Sequence, residues 1–272
     1  MLSEKHNDSS NPLLIQACLK AIERRRAMEA GDARLLAERA GITPDAWQQD
    51  ILRSTARQTI MLVTRQGGKS TVTSIRALHR ALYTPASLVL LLAPSYRQSK
   101  ELFRKVKDAL AALPYPSPLI SESALEMEFD NGSRIVALPG KEETIRGFSG
   151  VSLLIVDEAS RVSDALYQAV RPMLAVSGGD ILLLSTPFGK RGFFHHEWTS
   201  GGASWHRVKV TADDCPRMSR EWLATERKSI GEWWFRQEYL CEFVETDDQV
   251  FAYEDLQRAL DTAVKPLFGD VK

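Results

Sequence analysis

The stretch LVTRQGGKST, residues Leu62 to Thr71, carries most of the information about the fold of this chain. Its second half, Gly68-Lys69-Ser70, matches the end of a phosphate-binding loop, in which a glycine and four residues of any type precede Gly-Lys-Ser/Thr. The first glycine of that pattern is absent, because Val63 occupies the position five residues before Gly68. The stretch is therefore either a divergent phosphate-binding loop or a chance Gly-Lys-Ser in a turn, and the surrounding sequence has to distinguish the two.

The segments around this stretch alternate between apolar runs and helical patterns. TIMLV leads into the Gly-Lys-Ser loop and a helical pattern follows the loop, and the further apolar runs are SLVLLLAPS, SLLIVDE and DILLLSTP. Unbroken apolar strands separated by helices are typical of a parallel sheet that is covered on both faces. The segment LEMEFDNGSRIVAL favours a hairpin, since Asn131-Gly132 lies between two strand-like runs. We therefore predict an α/β fold with a mostly parallel sheet and an antiparallel part at its edge.

Composition sets wider limits on the class of protein. The chain has 272 residues, of which 44% are apolar and 26% charged, as is usual for a globular protein. Its 35 basic and 35 acidic residues cancel, so any DNA-contacting surface has to be local. Its three cysteines form no closely spaced pair, which predicts reduced thiols.

We predict a polar and helical segment at 1–40, a phosphate-loop core at 41–210, and a helical lid subdomain with a linker at 211–272.

Two parts of the sequence point to chemistry on a nucleotide. In a strand–loop–helix context, the amides at the helix N-terminus face a β-phosphate, Lys69 reaches the β- and γ-oxygens, and the Ser70 hydroxyl ligates Mg²⁺. Asp157 ends a predicted strand, where the carboxyl edge of a parallel sheet opens onto a ligand crevice. An aspartate there can hold Mg²⁺ through water, and Glu158 can polarise the attacking water. Each half alone is also explained by a turn or a solvated acidic pair, but the two together favour a nucleotide site.

A third element, Ser185-Thr186-Pro187, closes another predicted buried strand. Small hydroxyls at that position can sense a γ-phosphate through hydrogen bonds. The alternative is an ordinary hydroxyl-capped turn before proline.

Taken together, these segments resemble the ATPase domain of the large subunit of tailed-bacteriophage terminase. The resemblance covers about residues 47–243 and rests on AWQQDIL, VTRQGGKST, LLLAPSYRQSKELF, TIRGFSGVSLLIVDEAS, LLLSTPFGKRGFF and WWFRQEYLCEF. In that family Ser/Thr-Arg-Gln precedes x-Gly-Lys-Ser/Thr, which is the form of residues Thr64–Ser70 and accounts for the missing glycine. The resemblance implies a P-loop NTPase fold of the ASCE/RecA-like type, with helices on both faces of the sheet and a small helical lid subdomain.

The resemblance also implies roles for individual residues. Gln48 resembles the adenine-contacting glutamine of the family, with Gln49 as the alternative, and Arg65 resembles its loop arginine. Arg146 falls where some members have an arginine that enters the neighbouring subunit's site, although a surface arginine beside a glycine turn is the alternative. The residues expected to bind ATP are Gln48, Arg65, Gln66, Gly67, Gly68, Lys69, Ser70 and Thr71. Those expected to hold Mg²⁺ are Ser70 and Asp157, those expected to act in catalysis are Glu158, Arg65 and Arg146, and those expected to couple hydrolysis to movement are Ser185 and Thr186.

The function implied by the resemblance is a Mg²⁺-dependent, ATP-hydrolysing motor that translocates double-stranded DNA into a procapsid. Its expected partners are DNA, contacted at the phosphates without sequence preference, the portal protein and the small terminase subunit. We expect a homo-oligomeric ring, in the cytoplasm of a bacterial host and transiently at the portal.

Two other functions remain as alternatives: a superfamily-2 helicase-like DNA-dependent ATPase, and a non-hydrolysing nucleotide-binding assembly factor. Too few residues follow EYLCEF for the second RecA-like domain of a helicase, and Glu158 directly after Asp157 argues for hydrolysis. Full-length large terminases continue into an RNase H-like nuclease domain, for which no residues remain here. We therefore expect no DNA cleavage by this chain alone.

Overall fold

The computed structural model describes residues 12–114, 117–139 and 147–245. The α-helices in these ranges are α1 (Pro12–Gly31), α2 (Ala33–Arg39), α3 (Ala46–Arg53), α4 (Lys69–Tyr83), α5 (Tyr96–Ala111), α6 (Asp164–Val170), α7 (Gly192–Ser200), α8 (Arg220–Ile230) and α9 (Glu232–Glu238). The strands are β1 (Gln58–Val63), β2 (Leu88–Ala93), β3 (Leu119–Glu122), β4 (Glu126–Phe129), β5 (Arg134–Pro139), β6 (Val151–Asp157), β7 (Asp180–Ser185) and β8 (Trp205–Val210). None of the helices in these ranges is long and apolar enough to cross a membrane.

One sheet contains all eight strands, in the order β3-β4-β5-β2-β6-β7-β1-β8. Neighbours from β5 to β8 in this order are parallel, whereas β3 and β4 are antiparallel to their neighbours. The prediction of a mostly parallel sheet is confirmed, as is the hairpin, which β4 and β5 form around a turn where Gly132 has a φ of 77°. The second strand of the hairpin then pairs in parallel with β2.

Helices cover both faces of the sheet, as the unbroken apolar strands predict. Successive residues of a strand point to opposite faces, so Met61 and Val63 of β1 join a different buried cluster from Ile60 and Leu62. The first cluster contains side chains of α2, α3, α4 and α5, and the second contains side chains of α6 and α7. Burial on both faces explains why β1, β2, β6 and β7 show little alternation of polar and apolar residues.

The strand order determines which loops meet. Strand β7 lies between β1 and β6, and all three are parallel. Their carboxyl ends therefore share one edge of the sheet, which brings together the segments that follow Val63, Asp157 and Ser185. This edge is where ligands bind in open parallel sheets.

Strand β8 is not predicted from the sequence. His206, Arg207 and Lys209 interrupt its apolar pattern, because β8 lies at the edge of the sheet and only its ends are buried. Helices α8 and α9 follow, within the segment predicted to be helical. They share a small apolar cluster, formed by Ala212, Leu223, Phe235 and Tyr239.

Candidate nucleotide-binding site

The loop between β1 and α4 is tightly packed at its glycines. A Cβ atom on Gly67 would lie 2.8 Å from Val63 Cγ1, and one on Gly68 would lie 2.5 Å from Gln48 Nε2. Gly68 also has a φ of 94°, in the left-handed region that favours glycine. Gln66 has a φ of 57°, so a second residue of the loop is left-handed although it is not a glycine. The loop thus reaches a compact form without the glycine that Val63 replaces.

The start of α4 presents free amide groups. Within the described ranges, the N–H groups of Gly68, Lys69 and Ser70 donate no hydrogen bond. Unpaired amides at a helix N-terminus carry a partial positive charge and bind anions. The loop therefore has the geometry of a phosphate-binding site.

Lys69 lies across this loop with its ammonium group held by backbone carbonyls. The residue is 8% exposed, and its Nζ atom donates to Val63 O at 3.2 Å and to Thr64 O at 3.5 Å. No carboxylate among the described residues forms a salt bridge with it. A buried ammonium without an anionic partner is suited to a phosphate.

Asp157 and Glu158 lie where β6 ends. Asp157 is 8% exposed, and its Oδ1 atom accepts a hydrogen bond of 3.0 Å from the Glu158 N–H. Burial and the charge of Glu158 raise the pKa of Asp157 to about 6, although the charge of Lys69 opposes this shift. Glu158 has a φ of 49° and begins a 3₁₀ turn, so the backbone changes direction directly after the buried aspartate.

A cavity of about 520 Å³ lies against this loop. All eight residues predicted to bind ATP line it, together with Glu158. The remaining lining residues are Ile42, Thr43, Lys105 and Arg217. Gln48, the loop after β1 and Glu158 are separate in the sequence but surround one cavity, which has the size expected for a nucleotide pocket.

The side chains present fit a magnesium ion. Ser70 lines the cavity with its hydroxyl group. Asp157 does not line the cavity but is a buried carboxylate at the end of β6, to which no lysine or arginine of the described ranges is salt-bridged. Hydroxyl and carboxylate oxygens are the ligands that Mg²⁺ prefers. A cation would also offset the cost of burying the ionised Asp157.

The structure distinguishes the two glutamines considered for adenine contact. Gln48 lines the cavity, its Oε1 atom accepts the Asp45 N–H at 2.9 Å, and its Nε2 atom donates to Gly68 O at 3.3 Å. The amide of Gln49 instead donates to Pro44 O at 3.1 Å, away from the cavity. Gln48 is therefore the glutamine that is placed to meet a base.

Ser185 and Thr186 are buried behind the cavity at the end of β7. They are 0% and 3% exposed and do not line the cavity. The Oγ atoms of Ser185 and Ser160 are 2.7 Å apart, so the end of β7 is hydrogen-bonded to the turn that follows Glu158. This contact joins Ser185 to the 3₁₀ turn that Glu158 begins.

Arg65 lines the cavity and contacts α9. Its backbone N–H donates to Glu238 O at 3.2 Å, and its Nε atom is 3.5 Å from Glu238 Oε2. Arg161 Nη2 is 3.8 Å from the other carboxylate oxygen of Glu238. Arg146, the other predicted catalytic arginine, lies outside the described residues.

Sequence motifs do not reveal Arg217, Lys105 or Glu238 as site residues. Arg217 and Glu238 are far along the chain from the loop that they contact, and Lys105 is one of several basic residues of α5. Arg217 and Lys105 lie outside the segments that carry the family resemblance, and Glu238 lies in WWFRQEYLCEF without a role assigned to it, so the tertiary contacts single them out.

The sheet order, the Gly-Lys-Ser loop and the acidic pair at the end of β6 define a P-loop fold of the ASCE class. The family described as "Terminase large subunit, T4likevirus-type, N-terminal" matches residues 60–258. This chain belongs to that family.

Individual proteins support the same assignment. The large terminase subunit of Thermus virus P23-45 is 28% identical over 255 residues, which cover 80% of this chain and 52% of that protein. The structure of the Thermus phage P74-26 large terminase ATPase domain is 25% identical, with a TM-score of 0.66 over 76% of this chain and 97% of that domain. The large terminase of another thermophilic bacteriophage, in complex with ATP-γ-S, shares the fold, with a TM-score of 0.62 and 13% identity over 74% of this chain and 53% of that one. The chain spans about half the length of the curated relatives it matches.

Proposed function

We propose that this chain hydrolyses ATP with Mg²⁺ and is the motor domain of a terminase large subunit. The observation that carries the proposal is the single cavity that all eight predicted ATP-binding residues and Glu158 line. The similarity to the Thermus phage P74-26 large terminase ATPase domain, which is 25% identical and is covered over 97% of its length, supports the proposal.

The roles of the residues follow from the geometry. The free amides of Gly68, Lys69 and Ser70 bind phosphate oxygens, and the Lys69 ammonium exchanges its carbonyl partners for the β- and γ-phosphates. Glu158 accepts a proton from the water that attacks the γ-phosphorus, while the bond to the β-phosphate oxygen breaks and ADP leaves. Ser70 and Asp157 would hold Mg²⁺, which would supply positive charge against the phosphate oxygens.

The proposed work of this site is translocation of double-stranded DNA into a procapsid. Because the chain has no net charge, we expect local basic surfaces to contact the DNA, at its phosphates. The proposed partners are the portal protein and the small terminase subunit, with the chain acting in a homo-oligomeric ring. The proposed location is the cytoplasm of a bacterial host, and transiently the portal. The hydrogen bond between Ser160 and Ser185 offers one route from the catalytic turn to β7.

Phosphate release from ATP, measured with Mg²⁺ and with or without double-stranded DNA, tests the proposal. Lys69→Ala should lose ATP binding, because Arg65, the other cation of the loop, is directed toward Glu238. Glu158→Gln should still bind ATP but hydrolyse it about 10²–10⁴-fold more slowly, since the general base is removed. Lys228→Ala and Glu221→Gln, both exposed on α8, are the matched controls and should behave as the wild type. Equal loss of ATP binding in Lys69→Ala and Glu158→Gln would contradict the assigned roles.

A further inference from the structure

We propose that Arg217 is a positioning residue of the nucleotide site. Its guanidinium sets the direction of the Gly68 amide and joins the phosphate-binding loop to the segment that leads into α8. This inference rests on the proposed nucleotide binding and adds to it a residue that no motif of the sequence contains.

The guanidinium of Arg217 bridges two elements of the site. Its Nη2 atom donates to Gly67 O at 3.2 Å, and its Nη1 atom lies 2.8 Å from Asp45 Oδ1 and 2.7 Å from Oδ2. Asp45 is the N-cap residue of α3, the helix that carries Gln48. The guanidinium reaches its two partners from two different nitrogens in a fixed plane, whereas a lysine would have to reach both from one nitrogen at the end of a flexible chain.

Arg217 is also the sole support of the Gly67 carbonyl. Within the described parts of the chain, no other group donates to that oxygen. The next carbonyl along, that of Gly68, instead receives the amides of Thr71 and Val72 at 3.2 and 3.3 Å, from the first turn of α4. The helix therefore fixes the Gly68 carbonyl, whereas a side chain from a distant segment fixes that of Gly67.

The direction of the Gly67 carbonyl decides where the Gly68 amide points. The two groups belong to one planar trans peptide, so they point in opposite directions. This peptide joins two glycines and rotates more easily than any other in the loop. With its oxygen held by Arg217, the peptide presents the Gly68 N–H on the other side, where it has no acceptor among the described residues. Without that bond, rotation of the peptide would remove a phosphate donor.

The segment that carries Arg217 links this contact to α8, which lies in the predicted lid subdomain. Cys215 is 3% exposed in the main core, and its carbonyl accepts the Met218 N–H at 3.0 Å, which fixes the turn around Arg217. Ser219 then caps α8 by accepting the Trp222 N–H at 3.1 Å. A displacement of α8 would therefore act on Arg217 and, through it, on the Gly68 amide. The expected consequence is that the lid influences nucleotide affinity through this residue.

Binding of a fluorescent ADP analogue and the kinetics of ATP hydrolysis test the inference in Arg217→Ala and Arg217→Lys. Both variants should bind the analogue about tenfold more weakly, as expected for the loss of one charge-assisted hydrogen bond. KM for ATP should rise by a similar factor, with kcat within about threefold of the wild-type value, because the contact acts on binding rather than on the γ-phosphate. Arg220→Ala, an exposed arginine at the start of α8, is the control and should bind as the wild type does.

Each other outcome overturns the inference. Wild-type affinity in Arg217→Ala would show that the contact with Gly67 is dispensable. Wild-type affinity in Arg217→Lys would show that the positive charge suffices and that the direction of the peptide is not set by the fork. Thermal unfolding verifies that each variant folds, and if Arg217→Ala does not, the lysine variant decides alone. If the wild type binds nucleotide no better than Lys69→Ala, the proposed function fails and this inference fails with it.

Discussion

At the residue scale, the carboxyl group of Asp157 is buried at the end of β6, beside the carboxylate of Glu158. These two features raise its pKa from 3.8 to about 6, against the opposing charge of Lys69. In the native protein the group therefore binds its proton more tightly than in the unfolded chain. The free energy of unfolding should accordingly fall as the pH rises from about 4 to 6. Above pH 6 the carboxyl group is ionised in both states, so the free energy of unfolding should stay at this lower value. The position suits a cation but reduces the stability of the cation-free protein.

Asp157→Asn should raise the free energy of unfolding above pH 7 by about 1–3 kcal/mol, because it removes a buried charge while its amide oxygen can still accept the Glu158 N–H. At pH 4 the wild-type carboxyl is protonated, so the two proteins should be equally stable. The variant should also lose Mg²⁺-dependent hydrolysis. Urea unfolding in the presence of a chelator at pH 7.5 and pH 4 measures the difference, with Asp50→Asn, an exposed aspartate, as control. Destabilisation at pH 7.5 but not at pH 4 would mean that the attraction to Lys69 outweighs the cost of burial. Destabilisation at both pH values would mean that the amide does not fit the place of the carboxyl group.

At the scale of secondary-structure elements, the end of α9 is attached to the phosphate-binding loop. The backbone oxygen of Glu238 accepts the Thr64 Oγ1–H at 3.0 Å and the Arg65 N–H at 3.2 Å. Its carboxylate lies near Arg65 and near Arg161, which follows Glu158 in the chain. The loop after β1 and the turn after β6 therefore meet at one residue of α9. Movement of α9 relative to the sheet would change both.

Thr64→Val should loosen this attachment. Thr64 is fully buried, and the substitution keeps its shape but removes the donor to Glu238 O, at a cost of about 1 kcal/mol. Cys241 reports the effect, since burial leaves it 1% exposed and raises the pKa of its thiol to about 12. We expect its alkylation, followed by mass spectrometry, to proceed about fivefold faster in the variant, because local opening becomes easier.

The matched control is Thr225→Val, which removes a hydroxyl whose one partner among the described residues is Glu221 O, within α8. Its Cys241 should react at the wild-type rate, and the exposed Cys18 should react quickly in every variant. An unchanged rate in Thr64→Val would show that α9 is held by its other contacts.

At the scale of the whole molecule, the sheet places the nucleotide cavity at its carboxyl edge, and the proposed ring would bring neighbouring subunits to that site. Arg146 is the residue that the family resemblance assigns to the neighbour's γ-phosphate. It lies outside the described residues, so its role remains a prediction. Arg65 already lines the cavity of its own subunit, so a second arginine adds most if it acts across the interface.

Mixing Lys69→Ala with Arg146→Ala tests this role. The first variant cannot bind ATP but supplies Arg146, and the second binds ATP but lacks the arginine. If Arg146 acts in the neighbouring site, the mixture should recover part of the hydrolysis that neither variant shows alone, since such arginines contribute about 10³–10⁵-fold in rate. A mixture of Arg146→Ala with the double variant Lys69→Ala/Arg146→Ala is the control and should recover nothing. Absence of recovery in a mixture shown to co-assemble would remove Arg146 from the site.

The sequence alone predicted the parallel sheet, the hairpin and the loop, because each depends on neighbouring residues. Apolar runs such as SLVLLLAPS are buried on both faces wherever they lie in a parallel sheet, and Gly68-Lys69-Ser70 forms its loop between one strand and the next helix. The acidic pair at the end of β6 was predictable for the same reason. Strand β8 was not, since an edge strand keeps polar side chains and its pattern resembles that of an exposed segment.

Only the tertiary structure decided which distant residues complete the site. Arg217 reaches Gly67 across 150 positions of the chain, and Glu238 reaches Thr64 across 174. Neither contact leaves a local pattern, because each joins the loop after β1 to a distant segment of the chain and does not depend on the spacing of residues along one element. The choice of Gln48 over Gln49 is of the same kind: adjacent glutamines have the same chemistry, and the orientation of α3 against the loop determines which one faces the cavity.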